Sequence, residues 1–228
     1  MLAGASAYFF LTGALAAVAT NGARAAVLIG LPICIGFITL GERFIGLWMG
    51  AEYAAPAGQV LMFLAVGHLV GVPYYTISGV LYGLGRHHVV AYSRLFEGAV
   101  NLALSVLLIK RYGLAGVAIG TAVPQIIVAA GILPFVLSKW VSINLRDYYL
   151  TTYVRPFAAA LPFLATCWWI DQVLRPATFV SFFAAGAASL VAYVVPCWLL
   201  VFSADERATL VDALARRLPR RRTVEGLT

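Results

Sequence analysis

Long apolar stretches recur along the whole chain, and each has the length of a segment that crosses a lipid bilayer. A helix that crosses the hydrocarbon core needs roughly 20 mostly apolar residues. Among single segments, the helix is the structure that pairs all of its backbone N–H and C=O groups internally, as lipid requires. Short breaks rich in Gly, Asn, Pro and Arg separate seven candidate spans, at residues 2–20, 25–48, 57–82, 89–109, 114–138, 156–174 and 177–202. The second span is interrupted by Glu42 and Arg43 and could end near Leu40. The predicted fold is an all-α, polytopic transmembrane helix bundle of about seven spans.

Composition supports this class and excludes others. Hydrophobic residues make up 62% of the 228 residues and charged residues 11%, against about 25% in soluble domains. The net charge of +7 is carried by short loops and the C-terminal tail, where it suits anionic lipid headgroups, and we expect no nucleic-acid partner. Cys34, Cys167 and Cys197 lie within apolar segments without paired spacing, so neither a disulfide nor a zinc site is expected.

The distribution of Lys and Arg predicts the orientation of the bundle. Cationic loops favour the cytoplasmic side of a membrane. Of the 16 basic residues, eleven fall on the side of the C-terminal tail, Arg94 falls within a span, and four fall on the opposite side: Arg43, Lys110, Arg111 and Arg175. We therefore expect a multi-pass protein of the inner (cytoplasmic) membrane with a cytoplasmic C-terminus.

The last residues differ in character from the rest. Residues 1–202 are predicted to form the transmembrane bundle and residues 203–228 a separate cytoplasmic segment. Ser203 and Glu206 have the spacing of a capping box, and an apolar stripe of Leu210, Val211, Leu214 and Leu218 follows. This pattern predicts an amphipathic helix on the inner leaflet followed by a basic tail, or alternatively a helix that docks a partner.

The span at 89–109 carries polar side chains at helical spacing. Arg94, Glu97, Asn101 and Ser105 are three or four residues apart and so share one face of the helix. Ionisable side chains inside a membrane are costly and mark a functional pathway or an internal lock. In one interpretation Arg94 and Glu97 neutralise each other and pin this helix to a neighbour. In the other, the face lines a hydrated cavity, where Arg suits phosphate and Asn and Glu suit sugar hydroxyls.

Two other polar residues are candidates for a substrate cavity. His68 lies mid-span and is either a hydrogen-bonded packing residue or a proton carrier. Gln125 follows Pro124, so its side chain could hydrogen-bond to a backbone group left unpaired by the proline, or it could face the cavity. Glycines spaced by four let membrane helices approach closely. Three such pairs occur, Gly67/Gly71, Gly79/Gly83 and Gly116/Gly120.

Signatures of enzymes and metal sites are absent from the sequence. There is no nucleophile elbow, no zinc-protease motif and no phosphate-cradling loop. His87 and His88 are adjacent but have no third ligand nearby. We expect a non-enzymatic protein with no catalytic residue, no metal and no cofactor.

The order of several motifs between about residues 20 and 135 resembles a known family. The motifs are Leu31-Pro32, Leu47-Trp48-Met49-Gly50, Gly85-Arg86, Arg94-x-x-Glu97-x-x-x-Asn101 and Tyr112-Gly113-Leu114-x-Gly116-Val117-Ala118-Ile119-Gly120-Thr121. Together they are similar to the C-terminal half of oligosaccharide flippases. These are polysaccharide-biosynthesis membrane proteins related to O-antigen and lipid II flippases, in the multidrug/oligosaccharidyl-lipid/polysaccharide exporter superfamily.

This resemblance implies a transporter in which two helical bundles rock around a central cavity. The implied cargo is an isoprenoid-diphosphate-linked oligosaccharide that passes from the cytoplasmic to the outer leaflet for polysaccharide or lipopolysaccharide assembly. By similarity to the lipid II flippase, the helices at 156–174 and 177–202 would form a groove for the lipid tail. The partners implied are therefore lipid-linked oligosaccharide and membrane lipids.

One departure from the family and two alternative functions remain. The chain has about half the expected length, so we expect it to act with a missing or separate N-terminal half bundle. A multidrug-type exporter of the same superfamily is one alternative, but Arg94 compensates the acidic Glu97 that a cationic drug would need. A non-transporting membrane scaffold for a glycan assembly complex is the other.

Overall fold

Helices account for nearly all of the protein. The computed structural model describes residues 2–217, is about 90% helical and has no β-strand within that range. Ten α-helices occur there: α1 Leu2–Met49, α2 Ala51–Gly71, α3 Pro73–Gly83, α4 His87–Ile126, α5 Leu133–Ser138, α6 Leu145–Tyr149, α7 Arg155–Trp169, α8 Phe179–Ser189, α9 Val191–Leu200 and α10 Ala204–Arg217. Short π-helical segments at Ile127–Ile132, Leu150–Val154 and Ile170–Leu174 join or extend α4, α6 and α7. The predicted all-α class is confirmed.

Five helical segments of the described chain are long and apolar enough to cross a membrane, judged by length and composition. They are Thr12–Met49, Ala51–Gly83, His87–Ser138, Leu145–Leu174 and Phe179–Leu200. The count differs from the predicted seven in two places. The first two predicted spans are one helix. The spans at 89–109 and 114–138 lie in one helical segment of 52 residues but stay separate within it, because the chain turns between them at Gly113.

The predicted boundary at Asn21-Gly22 is wrong, because α1 is helical without a break from Leu2 to Met49. Ala19 and Ala23 on either side of that boundary are fully buried. A Cβ built on Gly22 would lie 2.7 Å from Cγ2 of Thr76 on α3. Tertiary packing therefore holds the helix through a dipeptide that favours a turn in isolation. The same helix also continues past Glu42 and Arg43, so the second predicted span does not end at Leu40.

The longest segment folds back on itself at Gly113, where φ is 58° and ψ is −138°. Thr121 Oγ1 donates a hydrogen bond to Oδ1 of Asn101, with the two atoms 3.4 Å apart. Twenty residues of straight helix would rise about 30 Å, so α4 must be a hairpin of two antiparallel arms. The turn predicted between 109 and 114 is confirmed.

Small residues set the spacing between several helices. Gly67 lies against Ala122 and Gly71 against Gln125, which brings α2 onto the second arm of α4. Gly116 and Gly120 lie against Leu108 and Ser105 and close the α4 hairpin. Gly79 and Gly83, in contrast, have nothing within 4 Å of an added Cβ. The packing role predicted for glycine pairs holds for two of the three.

The ends of the helices form two groups, and each group contains an ion pair between distant parts of the chain. Arg43 pairs with Asp171, which joins the α1–α2 turn to the α7–α8 connection. We call this end, with the α4 turn at Gly113, the turn end; it carries the four basic residues predicted to share one side. At the opposite end, which we call the tail end, Arg24 of α1 pairs with Glu206 of α10.

The predicted capping box begins α10. The backbone amide of Ser203 donates to Oε2 of Glu206 at 2.9 Å, and the amide of Glu206 donates to Oγ of Ser203 at 3.2 Å. The apolar stripe cannot be followed along this helix, because the side chains of Leu210 and Leu214, residue Leu218 and the basic tail lie outside the described residues. The amphipathic helix therefore stays a prediction.

Candidate functional site

Arg94 and Glu97 form an ion pair within one turn of the first arm of α4. Nη1 of Arg94 lies 3.1 Å from Oε2 and 3.2 Å from Oε1 of Glu97. The guanidinium carbon lies 3.6 Å from the ring centroid of Tyr74 on α3, a cation–π distance. The Arg94 side chain is 44% exposed and that of Glu97 is 17% exposed. The contact with the neighbouring helix is thus made by an aromatic ring, and the guanidinium keeps an open face.

Asn101 joins the two arms of the α4 hairpin. Its Oδ1 accepts hydrogen bonds from Oγ of Ser105 at 2.9 Å and from Oγ1 of Thr121 at 3.4 Å. Thr121 also donates to the carbonyl of Val117 at 3.0 Å. The side-chain oxygen of Asn101 is therefore engaged, while its amide nitrogen has no hydrogen-bond partner among the residues described.

His68 and Gln125 form a second polar pair, between α2 and the second arm of α4. Nδ1 of His68 lies 3.3 Å from Nε2 of Gln125. Gln125 fits between two glycines, since a Cβ on Gly71 would lie 2.5 Å from its Nε2 and one on Gly67 would lie 3.3 Å from its Oε1. The hydrogen bond that the structure gives Gln125 is therefore to a side chain of another helix.

The five residues proposed from the sequence thus fall into two sets on adjoining helices. Arg94, Glu97 and Asn101 follow the first arm of α4, and His68 with Gln125 joins the second arm to α2. The surface beside the first set is apolar, with Leu95, Leu102 and Leu107 about 70% exposed. Polar groups therefore line the border of a face that suits lipid or another apolar partner.

An apolar groove with a volume of about 560 Å³ lies between α7 and the α8–α9 pair. Its polar side chains are those of Thr166, Ser189 and Trp169; the other nine lining residues are aliphatic or proline. Pro162 lies inside α7 and Pro196 inside α9, and they line opposite walls of the groove. Proline inside a helix removes a backbone hydrogen bond and disturbs regular helix packing, which keeps the helices apart along the groove.

A larger, polar cavity of about 1,090 Å³ lies at the turn end. Charged and amide side chains in its lining are Glu42, Arg43, Gln59, Asp171 and Arg175. No motif in the sequence marks these residues as a site. Glu42 and Arg43 were recognised only as an interruption of an apolar span, and Asp171 lies 128 positions from Arg43. The sequence shows charged residues within apolar segments, but it does not show which of these residues pair with each other.

Comparison with known proteins gives one informative relationship. No protein-family model matches the chain, and no solved structure matches it. The apolar helices and the sequence similarity together indicate a multi-pass membrane protein with a flippase-like relative. That relative is the probable low-salt glycan biosynthesis flippase Agl15 of Haloferax volcanii, which is 26% identical over 137 residues. The match covers 60% of this chain and 26% of the relative, so the chain spans well under half of that protein's length.

Proposed function

We propose that the chain is part of a membrane transporter that flips isoprenoid-diphosphate-linked oligosaccharide across the cytoplasmic membrane. The relative named as a glycan biosynthesis flippase supports this class of cargo. The observation that carries the proposal is the apolar groove between α7 and α8–α9, because an isoprenoid chain needs an apolar surface that a sugar or an ion does not. Its volume of about 560 Å³ is typical of small-molecule sites.

Arg94, Glu97 and Asn101 form a polar strip along α4, and this polar strip is a second support for the proposal. The Arg94 side chain is 44% exposed beside its carboxylate partner, so its guanidinium can still donate hydrogen bonds to an anionic or hydroxylated head. In the proposed transporter Arg94 contacts this head, Asn101 offers its free amide, and Glu97 positions Arg94. His68 and Gln125 continue the polar surface onto the second arm of α4.

Alternating access requires two bundles that move against each other. The exposed leucines of α4 are compatible with an apolar partner surface beside the polar strip. We therefore include in the proposal a second bundle, from the same polypeptide or a separate one, that completes the cavity. Placement in the inner membrane with a cytoplasmic α10 follows from the segregation of basic residues between the two ends and belongs to the same proposal.

Deletion of the gene in its host tests this function. We expect surface glycan to fall and lipid-linked oligosaccharide to accumulate in the membrane fraction, with both effects reversed by complementation. A strain without the gene that keeps normal surface glycan and normal lipid-linked intermediates would contradict the proposed function.

A further inference from the structure

A single helical turn separates the apolar groove from the polar cavity. Ile170 and Leu174 line the groove, whereas Asp171 and Arg175, each the next residue along, line the cavity. The two hollows therefore share a wall at the turn end of the bundle. The groove runs back along the helix from Leu174, at the end of the π-helical segment, to Pro162 of α7, a rise of about 18 Å for twelve residues at α-helical spacing. It thus runs from the cavity toward the middle of the bundle.

The cavity presents hydrogen-bond donors and acceptors with no net charge. Two arginines, Arg43 and Arg175, are matched by two carboxylates, Glu42 and Asp171, and Gln59 adds an amide. Asp171 is already engaged: Nε of Arg43 lies 2.8 Å from its Oδ1, and Nη2 of Arg43 donates to its backbone carbonyl at 2.8 Å. Glu42 has no hydrogen bond or ion pair among the described residues.

Arg175 lines the cavity in an uncommon backbone conformation. Its φ of 44° and ψ of 60° are left-handed, a region that costs a non-glycine residue free energy. Nε donates to the carbonyl of Gln172 at 3.0 Å, which fixes the side chain to the same turn. The two terminal nitrogens of the guanidinium have no partner among the described residues, so they are free to donate within the cavity.

We infer that the cavity and groove together bind one amphiphile, with a hydroxyl-rich head in the cavity and the apolar chain in the groove. A lining of balanced charge, with the free Glu42 carboxylate as acceptor and Arg175 and Gln59 as donors, matches sugar hydroxyls. A diphosphate would require uncompensated cations. The head is therefore an uncharged sugar joined to its apolar chain without phosphate, so this inference goes beyond the diphosphate-linked cargo of the proposed function. It adds a head site at the turn end, distinct from the polar strip of α4.

Short-chain probes test this site on the complete polypeptide in phosphatidylcholine nanodiscs. Geranyl glucoside, geranyl phosphate and geraniol share one apolar chain and differ in the head, so calorimetric titration against empty nanodiscs separates the contributions. We expect geranyl glucoside to bind saturably and at least about tenfold more tightly than geraniol, because hydrogen bonds to charged groups contribute on that scale. Equal affinities would overturn the inference, and so would a preference for the phosphate.

Amino-acid substitutions test where the probe binds. Glu42→Ala is expected to weaken the binding of geranyl glucoside about tenfold and to leave the binding of geraniol unchanged, because it removes the free acceptor. Glu52→Ala is the matched control, since Glu52 lies at the same end but does not line the cavity. Ala188→Trp, which fills the groove, should weaken both probes. Glucoside binding that is indifferent to Glu42→Ala and to Ala188→Trp would contradict the site.

A second cavity variant covers the case in which Glu42→Ala does not fold. Gln59→Ala leaves every charge in place and should weaken the binding of geranyl glucoside several-fold relative to that of geraniol; unchanged binding would count against the site.

Failure of this inference can be distinguished from failure of the proposed function. Lost probe selectivity with an intact deletion phenotype rejects the head site alone. Selective binding in a protein whose deletion leaves surface glycan normal rejects the transport role alone.

Discussion

The Arg94 guanidinium of α4 lies 3.6 Å from the ring centroid of Tyr74 on α3, with its side chain 44% exposed. A residue that acted only as a lock between helices would be buried against an opposite charge of the other helix. Here the opposite charge, Glu97, is on the same helix, and the ring covers one face of the guanidinium. This arrangement holds the cation in position while it leaves donors accessible.

We predict that Arg94→Ala has little effect on stability and a large effect on glycan export. A half-exposed ion pair contributes about 0–1 kcal/mol and a cation–π contact about 0.5–1 kcal/mol, so the thermal midpoint in detergent should change by a few degrees at most. Export by the complemented deletion strain should fall severalfold or more. Arg94→Lys keeps the charge but loses the planar fork, and should give intermediate export.

A double-mutant cycle with Glu97→Ala distinguishes this prediction from a purely structural role. If the pair were only a lock, the double variant would recover both folding and export. Recovery of export in the double variant would therefore contradict substrate contact by Arg94.

The interface between α2 and α4 depends on Gly67. A Cβ at this position would lie 2.7 Å from the Cα of Ala122, a backbone atom that cannot move aside cheaply. We predict that Gly67→Ala destabilises the protein by roughly 1–3 kcal/mol, as overpacking does, measured as the midpoint of thermal unfolding. Gly79→Ala is the matched control, because nothing lies within 4 Å of its added Cβ. It should be neutral or slightly stabilising, and equal losses in both variants would be inconsistent with the interface.

The α4 hairpin depends on the backbone of Gly113. Its φ of 58° with ψ of −138° lies in a region that residues with a Cβ rarely adopt. We expect Gly113→Ala to destabilise the fold by about 1–3 kcal/mol and to loosen the contact between Asn101 and Thr121. Disulfide cross-linking of Asn101→Cys with Thr121→Cys, whose side chains meet across the turn, reports the pairing of the two arms. Gly98→Ala, in open space on the first arm, should leave stability unchanged or raised.

Docking of α10 should depend on pH through Glu206. Hydrogen bonding to Arg24 lowers the pKa of Glu206 below its ordinary value of 4.5. A lowered folded-state pKa means that the stabilisation is present above about 4.5 and is lost as pH falls through the folded-state value. Limited proteolysis within α10 should therefore accelerate below pH 4.5. Glu206→Gln should be cleaved faster at pH 7 and should lose the pH dependence; protection that is unchanged at low pH would argue against this contact.

Local signals were sufficient for part of this fold and insufficient for the rest. The turn at Gly113 could be predicted because basic residues and glycine interrupt an apolar run, and the capping box of Ser203 and Glu206 because its spacing is local. The continuity of α1 through Asn21-Gly22 could not, since it depends on burial against α3. Nor could the pairing of Arg43 with Asp171, because residues 128 positions apart meet only through the packing of α1 on α7.

The candidate site shows the same division. Helical spacing was enough to place Arg94, Glu97 and Asn101 along one strip. It could not indicate that Tyr74 would cover the guanidinium, or that Gln125 would meet His68 between two glycines. The cavity at the turn end is assembled from three separate parts of the chain, so no single segment carried its signature.

The sidedness of lipid-linked oligosaccharide is the measurement that tests the account most directly. Inside-out and right-side-out vesicles from strains with and without the gene are treated with a membrane-impermeant reagent that oxidises sugars, and the labelled lipid is quantified on each face. In vesicles from strains that carry the gene or its Arg111→Ala control variant, we predict that lipid-linked oligosaccharide is labelled from the outer face. Deletion or Arg94→Ala should confine labelling to the cytoplasmic face. Equal outer-face labelling with and without the gene would contradict the proposed flipping.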